Sequence, residues 1–154
     1  MGEFTHPNAR TGYEGVGFGG NRGVVHATAI VELPTTALQT SDIVHLMYVP
    51  KGAVVVDGYV KADDLDTGTS LAYNIGDATT TTLFFSSTTT GQSAGSSAMA
   101  TGARYTKFAD ATRLKMTVVT GSETAAAGTL VFGLSYFVDP ECNVTTGITP
   151  ISIA

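Results

Sequence analysis

The segment ADDLDTGTSLAYNIGD, residues 62–77, contains the residues of this chain that most suggest chemistry. Its centre reads Asp66-Thr67-Gly68. In an aspartic protease the Asp of an Asp-Thr-Gly sequence shares a proton with a second Asp, because two like charges so close together cannot both ionise. In a small dimeric protease each chain supplies one such Asp, and Val131-Phe132-Gly133 would be the later apolar segment that accompanies it. Asp66 is therefore a candidate catalytic carboxylate.

The residues before Asp66 favour a turn instead. A catalytic loop needs apolar neighbours that keep water out, whereas Lys61, Asp63 and Asp64 place three charges there, and burying unpaired charges is costly. Asp-Thr-Gly also suits a turn, since the Asp side chain accepts a hydrogen bond from the N–H two residues on and Gly adopts positive φ. We therefore predict that Asp66 lies in a solvated acidic hairpin turn between strands 53–62 and 69–75. A dimeric aspartic protease that uses Asp66 is kept as a remote alternative.

The same acidic residues could also form a calcium site. Asp63, Asp64 and Asp66 supply carboxylate oxygens, and calcium takes six to eight oxygen ligands. The spacing Asp64-x-Asp66-x-Gly68 matches a calcium loop only in part, because the bidentate acid that should close the loop is missing. No metal site is predicted, and cation binding by these three residues is left open.

Other motifs give weaker signals for cofactors or catalysis. Gly15-x-Gly17-x-x-Gly20 has the letters of a dinucleotide-binding fingerprint, but no strand precedes it and no helix follows. The three histidines are too scattered for a metal site, and we expect His26 and His45 to be partly buried hydrogen-bonding residues in strands. Cys142 has no histidine near it that would activate a nucleophile. We therefore predict neither a cofactor nor a catalytic residue.

Composition limits the classes of partner. Only 14% of the residues are charged, and 35 are Thr or Ser, so hydroxyl groups replace charges on much of the surface. The net charge of −5 argues against nucleic acid, which needs clustered Lys and Arg. No segment is long and apolar enough for a membrane helix, and residues 1–10 do not resemble a secretory signal. A single cysteine fits synthesis in a reducing cytoplasm.

The elements that must position these residues are strands. Alternating apolar residues predict a face of Val54, Val56, Val60 and Ala62, and a long stripe follows from Leu130 to Val138. Residues 86–102 predict a polar loop, and Ala125–Ala127 one short helical turn. The predicted strands are 24–33, 43–49, 53–62, 69–75, 81–86, 103–108, 112–119 and 129–138.

Eight short strands with one apolar face each are expected to pack as two sheets. We predict an all-β, two-sheet antiparallel β-sandwich of the jelly-roll type, with a seven-stranded immunoglobulin-like sandwich as the second choice. The predicted organisation is a Gly-rich N-terminal arm (1–23), the sandwich (24–139) and an extended C-terminal tail (140–154). The arm cannot form its own core, so Tyr13, Val16 and Phe18 are predicted as anchors on a partner.

The run VPKGAVVVDGYVKADDLDTGTSLAYNIGD and the later TGSETAAAGTLVFGLSYF resemble small structural proteins of tailed bacteriophages. The shared features are a Val-Pro-x-Gly entry, a Leu-Asp-x-Gly turn, an Ile-Gly-Asp step and a Thr-Gly…Ala-Ala-Gly turn, over about residues 44–138. The resemblance is to capsid decoration (cement) proteins on the head exterior. It implies a β-sandwich, commonly trimeric, that bridges subunits of the major capsid protein.

The sequence therefore predicts a non-enzymatic virion protein that stabilises the phage head. A positive mean hydropathy of +0.18 and few charges indicate that part of the surface is covered by a partner, and a three-fold capsid position makes a homotrimer the expected oligomer. The alternative with the same fold is a head-fibre base, a tail protein or a receptor- or glycan-binding module. Glycan sites commonly stack sugars on exposed aromatic residues, and the absence of Trp weighs against that alternative.

Overall fold

The computed structural model describes residues 23–139, which form eight strands and one short 3₁₀ helix. The 3₁₀ helix spans Thr101–Ala103, between β6 and β7. The strands are β1 Val25–Leu33, β2 Ile43–Val49, β3 Ala53–Ala62, β4 Ala72–Gly76, β5 Phe85–Thr88, β6 Gly95–Ala98, β7 Thr112–Thr120 and β8 Gly128–Val138.

These strands form two four-stranded antiparallel sheets. Sheet 1 has the order β1-β8-β3-β6 and sheet 2 the order β2-β7-β4-β5. Every connection between consecutive strands crosses from one sheet to the other, except the β4–β5 hairpin within sheet 2. This order is that of an eight-stranded jelly roll, so the predicted fold class is confirmed.

The core lies between the two sheets and follows the alternation in the sequence. In sheet 1, Leu130, Phe132, Leu134 and Tyr136 of β8 are buried, as the predicted stripe requires. The inward residues of sheet 2 are Tyr73 and Ile75 of β4 and Leu114, Met116 and Val118 of β7. Each inward residue is separated from the next by one outward residue, because successive side chains of a strand point to opposite faces.

The predicted inward face of β3 is wrong in its first half, where Val54 is buried but does not belong to the core cluster. Val55 and Ala53 are fully buried, whereas Val56 is only half-buried. A β-bulge between Val55 and Asp57 explains the difference, because the extra residue moves the inward set from odd to even positions. Beyond the bulge, Val60 and Ala62 point inward as predicted.

Three other predicted elements are also corrected. Residues 103–108 form no strand, although Lys107 makes an isolated bridge to Val54. Conversely, β6 lies within the predicted 86–102 loop and pairs with the end of β3. Ala125–Ala127 form no helical turn, since Ala125 bridges to Asp66 and β8 begins at Gly128. The pairing of distant segments overrides weak local preference in each case.

Tyr73 brings a polar group into this core. Its side chain is fully buried, and its hydroxyl has no hydrogen-bond partner among the described residues. Burial raises the pKa of Tyr73 far above its ordinary value, because the phenolate would be desolvated. The hydroxyl therefore costs stability without a compensating bond.

We expect Tyr73→Phe to raise the free energy of unfolding by about 1 kcal/mol, since it removes an unpaired buried polar group and keeps the ring. Urea denaturation of both proteins measures the difference. Tyr136→Phe on the facing sheet is the matched control, because the Tyr136 hydroxyl is not an unpaired buried atom, and no gain is expected there. A loss of stability in Tyr73→Phe would show that the hydroxyl has a partner after all.

Candidate functional site

Asp66 is buried at the end of the sandwich where β3 ends and β4 begins. Its side chain has no exposed surface. One carboxylate oxygen, Oδ1, accepts hydrogen bonds from the backbone N–H groups of Thr124 at 2.8 Å and Gly68 at 3.1 Å. The other, Oδ2, accepts from the N–H groups of Ser70 and Leu71, both at 2.8 Å, and lies 3.1 Å from the Ser70 hydroxyl. Both oxygens are therefore fully used inside the protein.

These bonds join the loops at this end of the sandwich. Besides the Thr124 bond, Asp66 pairs with Ala125 in an isolated bridge, which holds the β7–β8 connection. The backbone N–H groups of Leu65 and Asp66 both donate to the carbonyl of Gly91, at 2.8 and 3.1 Å, which holds the β5–β6 connection. The β3–β4 connection is thus linked to two other loops through one short segment.

The hydrogen bonds decide the ionisation of Asp66. Burial by itself would raise the pKa, but the N–H donors of Thr124, Ser70, Leu71 and Gly68 favour the charged form and together outweigh it. The result is a pKa held well below the ordinary range of an Asp. Asp66 is therefore a carboxylate at all ordinary pH values, and its charge is balanced by backbone dipoles.

This geometry corrects the predicted solvated hairpin turn. β3 and β4 belong to different sheets, so the segment crosses between sheets, and Asp66 is buried. The predicted bond from the N–H two residues on is present. The positive φ falls on Thr69, at 63°, and not on Gly68. Gly68 is required for a different reason: a Cβ there would lie 2.7 Å from the Cβ of Glu123.

The same geometry disfavours catalysis by Asp66. A catalytic carboxylate must reach a substrate or an attacking water, directly or through one water. Asp66 has no solvent-facing oxygen, and its acceptor positions are occupied by main-chain donors. The companion segment of the protease hypothesis is equally enclosed, because Phe132 is buried in the core and the Tyr59 ring covers Gly133.

The other two residues of the calcium hypothesis lie on the surface. Asp63 and Asp64 are exposed, and Asp63 Oδ2 accepts a hydrogen bond from the backbone N–H of Thr129 at 2.8 Å. Within residues 23–139, no group of three His, Cys, Asp or Glu side chains is placed to hold a metal ion. The structure therefore separates buried Asp66 from its two exposed neighbours.

The outer face of sheet 1 carries an aromatic pair that the sequence analysis missed. His26 of β1 and Tyr59 of β3 lie on either side of β8 and stack with ring centroids 5.9 Å apart. They can meet because Gly133 of β8 lies between them, where a Cβ would be 2.6 Å from Tyr59 Cζ. His26 Nδ1 is also 2.9 Å from the Ser135 hydroxyl. We call these residues, His26, Tyr59, Gly133 and Ser135, the aromatic pad.

The histidine predictions are thus half right. His26 hydrogen-bonds within a strand, as predicted, but it is exposed instead of partly buried. His45 also lies in a strand and is exposed. The feature that would have predicted the aromatic pad is the pairing of Tyr59 with Gly133, which is known only once the strand register is known.

Large apolar side chains are exposed on both outer faces of the sandwich. Sheet 1 presents Ile30, 69% exposed, and sheet 2 presents Ile43 and Tyr48, the latter under the Arg113 guanidinium at 4.5 Å. Tyr105 is 77% exposed at the opposite end from Asp66 and has φ of 65°, a backbone conformation that bulky residues rarely adopt. Tyr and Arg are enriched at protein–protein interfaces. The exposed side chains of the described residues are therefore of the types found at protein–protein contact surfaces.

Some of the sequence predictions concern residues outside the described part of the chain. The predicted anchors Tyr13, Val16 and Phe18 lie outside the described residues, as does Cys142. No helix in the described part of the chain is long and apolar enough to cross a membrane.

Comparison with known proteins finds similarity at the level of structure. No family model matches the sequence, and no curated protein matches it. A chain of the capsid asymmetric unit of cyanophage Pam1 is 26% identical, with a TM-score of 0.70 over 77% of this chain and 87% of that chain. A chain of the capsid of Ralstonia phage GP4 is 25% identical, with a TM-score of 0.68 over 77% and 86%.

A third solved structure is similar to this chain in its fold alone. A chain in the acid-stable capsid of Helicobacter pylori bacteriophage KHP30 is 15% identical, with a TM-score of 0.52 over 77% of this chain and 90% of that one. All three neighbours are parts of phage capsids. The two more similar chains support a structural role in a phage particle.

Proposed function

We propose that this protein is a capsid decoration (cement) protein, which binds the outside of a phage head and bridges subunits of the major capsid protein. The observation that carries the proposal is the likeness to the Pam1 capsid chain, 87% of which is covered by the match to this chain. That neighbour is consequently a small chain made of little more than the same sandwich. A small single-sandwich chain is suited to adding contacts to a shell.

The surface chemistry supports the same function. A cement protein acts by burying surface across subunit boundaries, and it needs many moderate contacts instead of a deep pocket. Only 14% of the residues are charged, and exposed apolar side chains occur on both outer faces of the sandwich. Such a surface can be desolvated at low cost, because few charges lose their water.

The aromatic pad favours a second candidate with the same fold. Exposed aromatic rings are the usual platforms for sugar rings, and Tyr59 lies flat enough over β8 to exclude a side chain at position 133. A fibre-base, tail or receptor-binding module would use such a platform to recognise glycans. Loss of glycan binding in Tyr59→Ala, measured on a glycan array, would favour this candidate over decoration.

The predicted anchors in residues 1–23 provide the test of the decoration function. We expect a protein lacking residues 1–23 to fold and melt as the full chain does, but to bind heads poorly. Burial of Tyr13, Val16 and Phe18 would contribute a few kcal/mol per copy at about 25 cal/mol per Å², and repetition around an oligomer multiplies that gain. The measurement is occupancy on purified heads that lack the protein, from gel densitometry after pelleting.

A full-length variant with Tyr13, Val16 and Phe18 all replaced by serine is the matched control for chain length. It should lose occupancy as the deletion does if the anchors carry the binding. Full occupancy of both variants would show that the sandwich itself holds the shell. Failure of the unmodified protein to bind heads would contradict the decoration function.

A further inference from the structure

β1 is an edge strand with one side open among the described residues. It pairs with β8 over all nine residues, Val25–Leu33, and no other described strand pairs with it. The N–H and C=O groups of alternate residues in β1 therefore point away from the sheet, since those of the others bond to β8. An open row of this kind is a template for another strand.

β1 has few of the usual protections of an edge strand, and its one charged residue is Glu32. Its sequence, VHATAIVEL, contains no Lys and no Pro, and its register with β8 has no bulge. Ile30 is 69% exposed at the middle of the strand. Long, regular and apolar edges associate with other strands unless something prevents it. The residues and the regular register of β1 are therefore typical of a strand that pairs with another strand at an interface.

The sequence of β1 is complementary to itself. When two copies of β1 pair antiparallel about a two-fold axis, the two residues of each opposed pair must either both point outward or both be bonded to β8, so the axis passes through a residue and not between two residues. An axis through Ala29 keeps all nine residues paired. In that register His26 faces Glu32 of the second copy, and Thr28 faces Ile30 of the second copy.

These opposed pairs are favourable. His26 and Glu32 are both exposed in one copy, and each would gain a partner of complementary chemistry, twice per dimer. His26 Nδ1 is 2.9 Å from the Ser135 hydroxyl and the ring stacks on Tyr59, so a hydrogen bond to the Glu32 carboxylate would be made through Nε2 after the ring turns toward the open edge. Thr28 beside Ile30 is a pair of β-branched residues, which stabilises antiparallel strands. A shift of the axis to Thr28 or Ile30 loses both pairs.

We propose that β1 of one copy pairs antiparallel with β1 of a second copy, about a two-fold axis through Ala29, to form a continuous eight-stranded sheet. The contact is separate from the capsid-binding function and does not require it. Because it is a two-fold contact, it adds a link between copies to any three-fold oligomer instead of forming that oligomer.

Disulfide trapping tests this register. In a Cys142→Ser background, Thr28→Cys and Ile30→Cys are prepared as separate proteins, one of them carrying a size tag, then mixed and oxidised. Opposed residues of an antiparallel pair lie within disulfide reach, whereas residues two positions out of register do not, so we expect at least about tenfold more cross-linked dimer in the mixture than in either protein alone. Non-reducing gels measure the yield and the tag identifies mixed dimers.

A charged residue introduced on the exposed face of β1 provides a second test. Ile30→Lys should fold normally, because Ile30 is largely exposed, and should lower the mass measured by light scattering. Equal cross-linking in the mixture and in the single variants, or no cross-linking at all, would overturn the proposal. An unchanged mass in Ile30→Lys would overturn it independently and would leave β1 to a different strand, from the rest of this chain or from the shell.

Discussion

Replacement of Asp66 by alanine is expected to lower the free energy of unfolding by about 3–5 kcal/mol, which is among the largest effects of a single substitution. The change removes the common acceptor of four backbone N–H groups, those of Gly68, Ser70, Leu71 and Thr124. Those donors would be left without partners where three loops meet. Urea denaturation, read by circular dichroism, measures the loss.

Two further substitutions separate the carboxylate from a general effect of charge. Asp66→Asn keeps the shape but turns an NH₂ group toward N–H donors, so most of the loss is expected to remain. Asp64→Asn removes an exposed charge two residues away, and its effect should stay within about 0.5 kcal/mol. Equal, small effects at both positions would show that the Asp66 hydrogen bonds do not hold this end of the sandwich.

The low pKa of Asp66 also sets the pH dependence of stability. Its folded-state pKa lies below the unfolded value of about 3.9, so the folded chain resists protonation at this position. The stability that Asp66 contributes is fully present above the unfolded pKa and is lost as pH falls below about 4 toward the folded pKa. The acid-induced loss should therefore be smaller in Asp66→Asn than in the unmodified protein, as measured by urea midpoints from pH 6 to pH 2.

Alternation in the sequence was sufficient to predict most of the sandwich. β2 and β3 have their predicted bounds, and the inward residues of β8 are those of the predicted stripe. These strands have one apolar face each, so burial alone sets their direction. The bulge in β3 could not be predicted, because Val54, Val55 and Val56 are equally apolar and only the pairing with β8 decides which one points inward.

The sequence analysis missed the strand that forms because it pairs with a neighbour and not because of its own residue types. β6 is made of Gly, Ser and Ala, which have little β-propensity, and it is a strand because it lies against β3. The aromatic pad is similar, since Tyr59 and Gly133 are far apart in sequence. The same limit applies to Asp66. The Asp-Thr-Gly sequence predicted that Asp66 bonds to the backbone of a turn. It could not predict that Asp66 is buried, because burial depends on Thr124 and Gly91, which only the fold places beside it.

Phe132→Ala is expected to cost about 3–5 kcal/mol, the typical loss when a large aromatic side chain is removed from a core. Phe132 belongs to β8 in sheet 1, and its ring packs against Phe84 at 5.8 Å and Phe85 at 6.5 Å between ring centroids. Phe85 begins β5 in sheet 2, so this aromatic cluster joins the two sheets. Its removal would leave a cavity that the sheets cannot close without breaking strand pairing.

Phe137→Ala provides the matched control in the same strand. Phe137 is half-buried and alternates with the inward residues of β8, which places it on the outer face of sheet 1, so its loss should cost less than half as much. Both free energies are measured by urea denaturation, and an unchanged denaturant slope would show that the folded states remain comparable. Equal losses would mean that the cluster of Phe84, Phe85 and Phe132 does not hold the sheets together, and that the contact between them is spread evenly over the core.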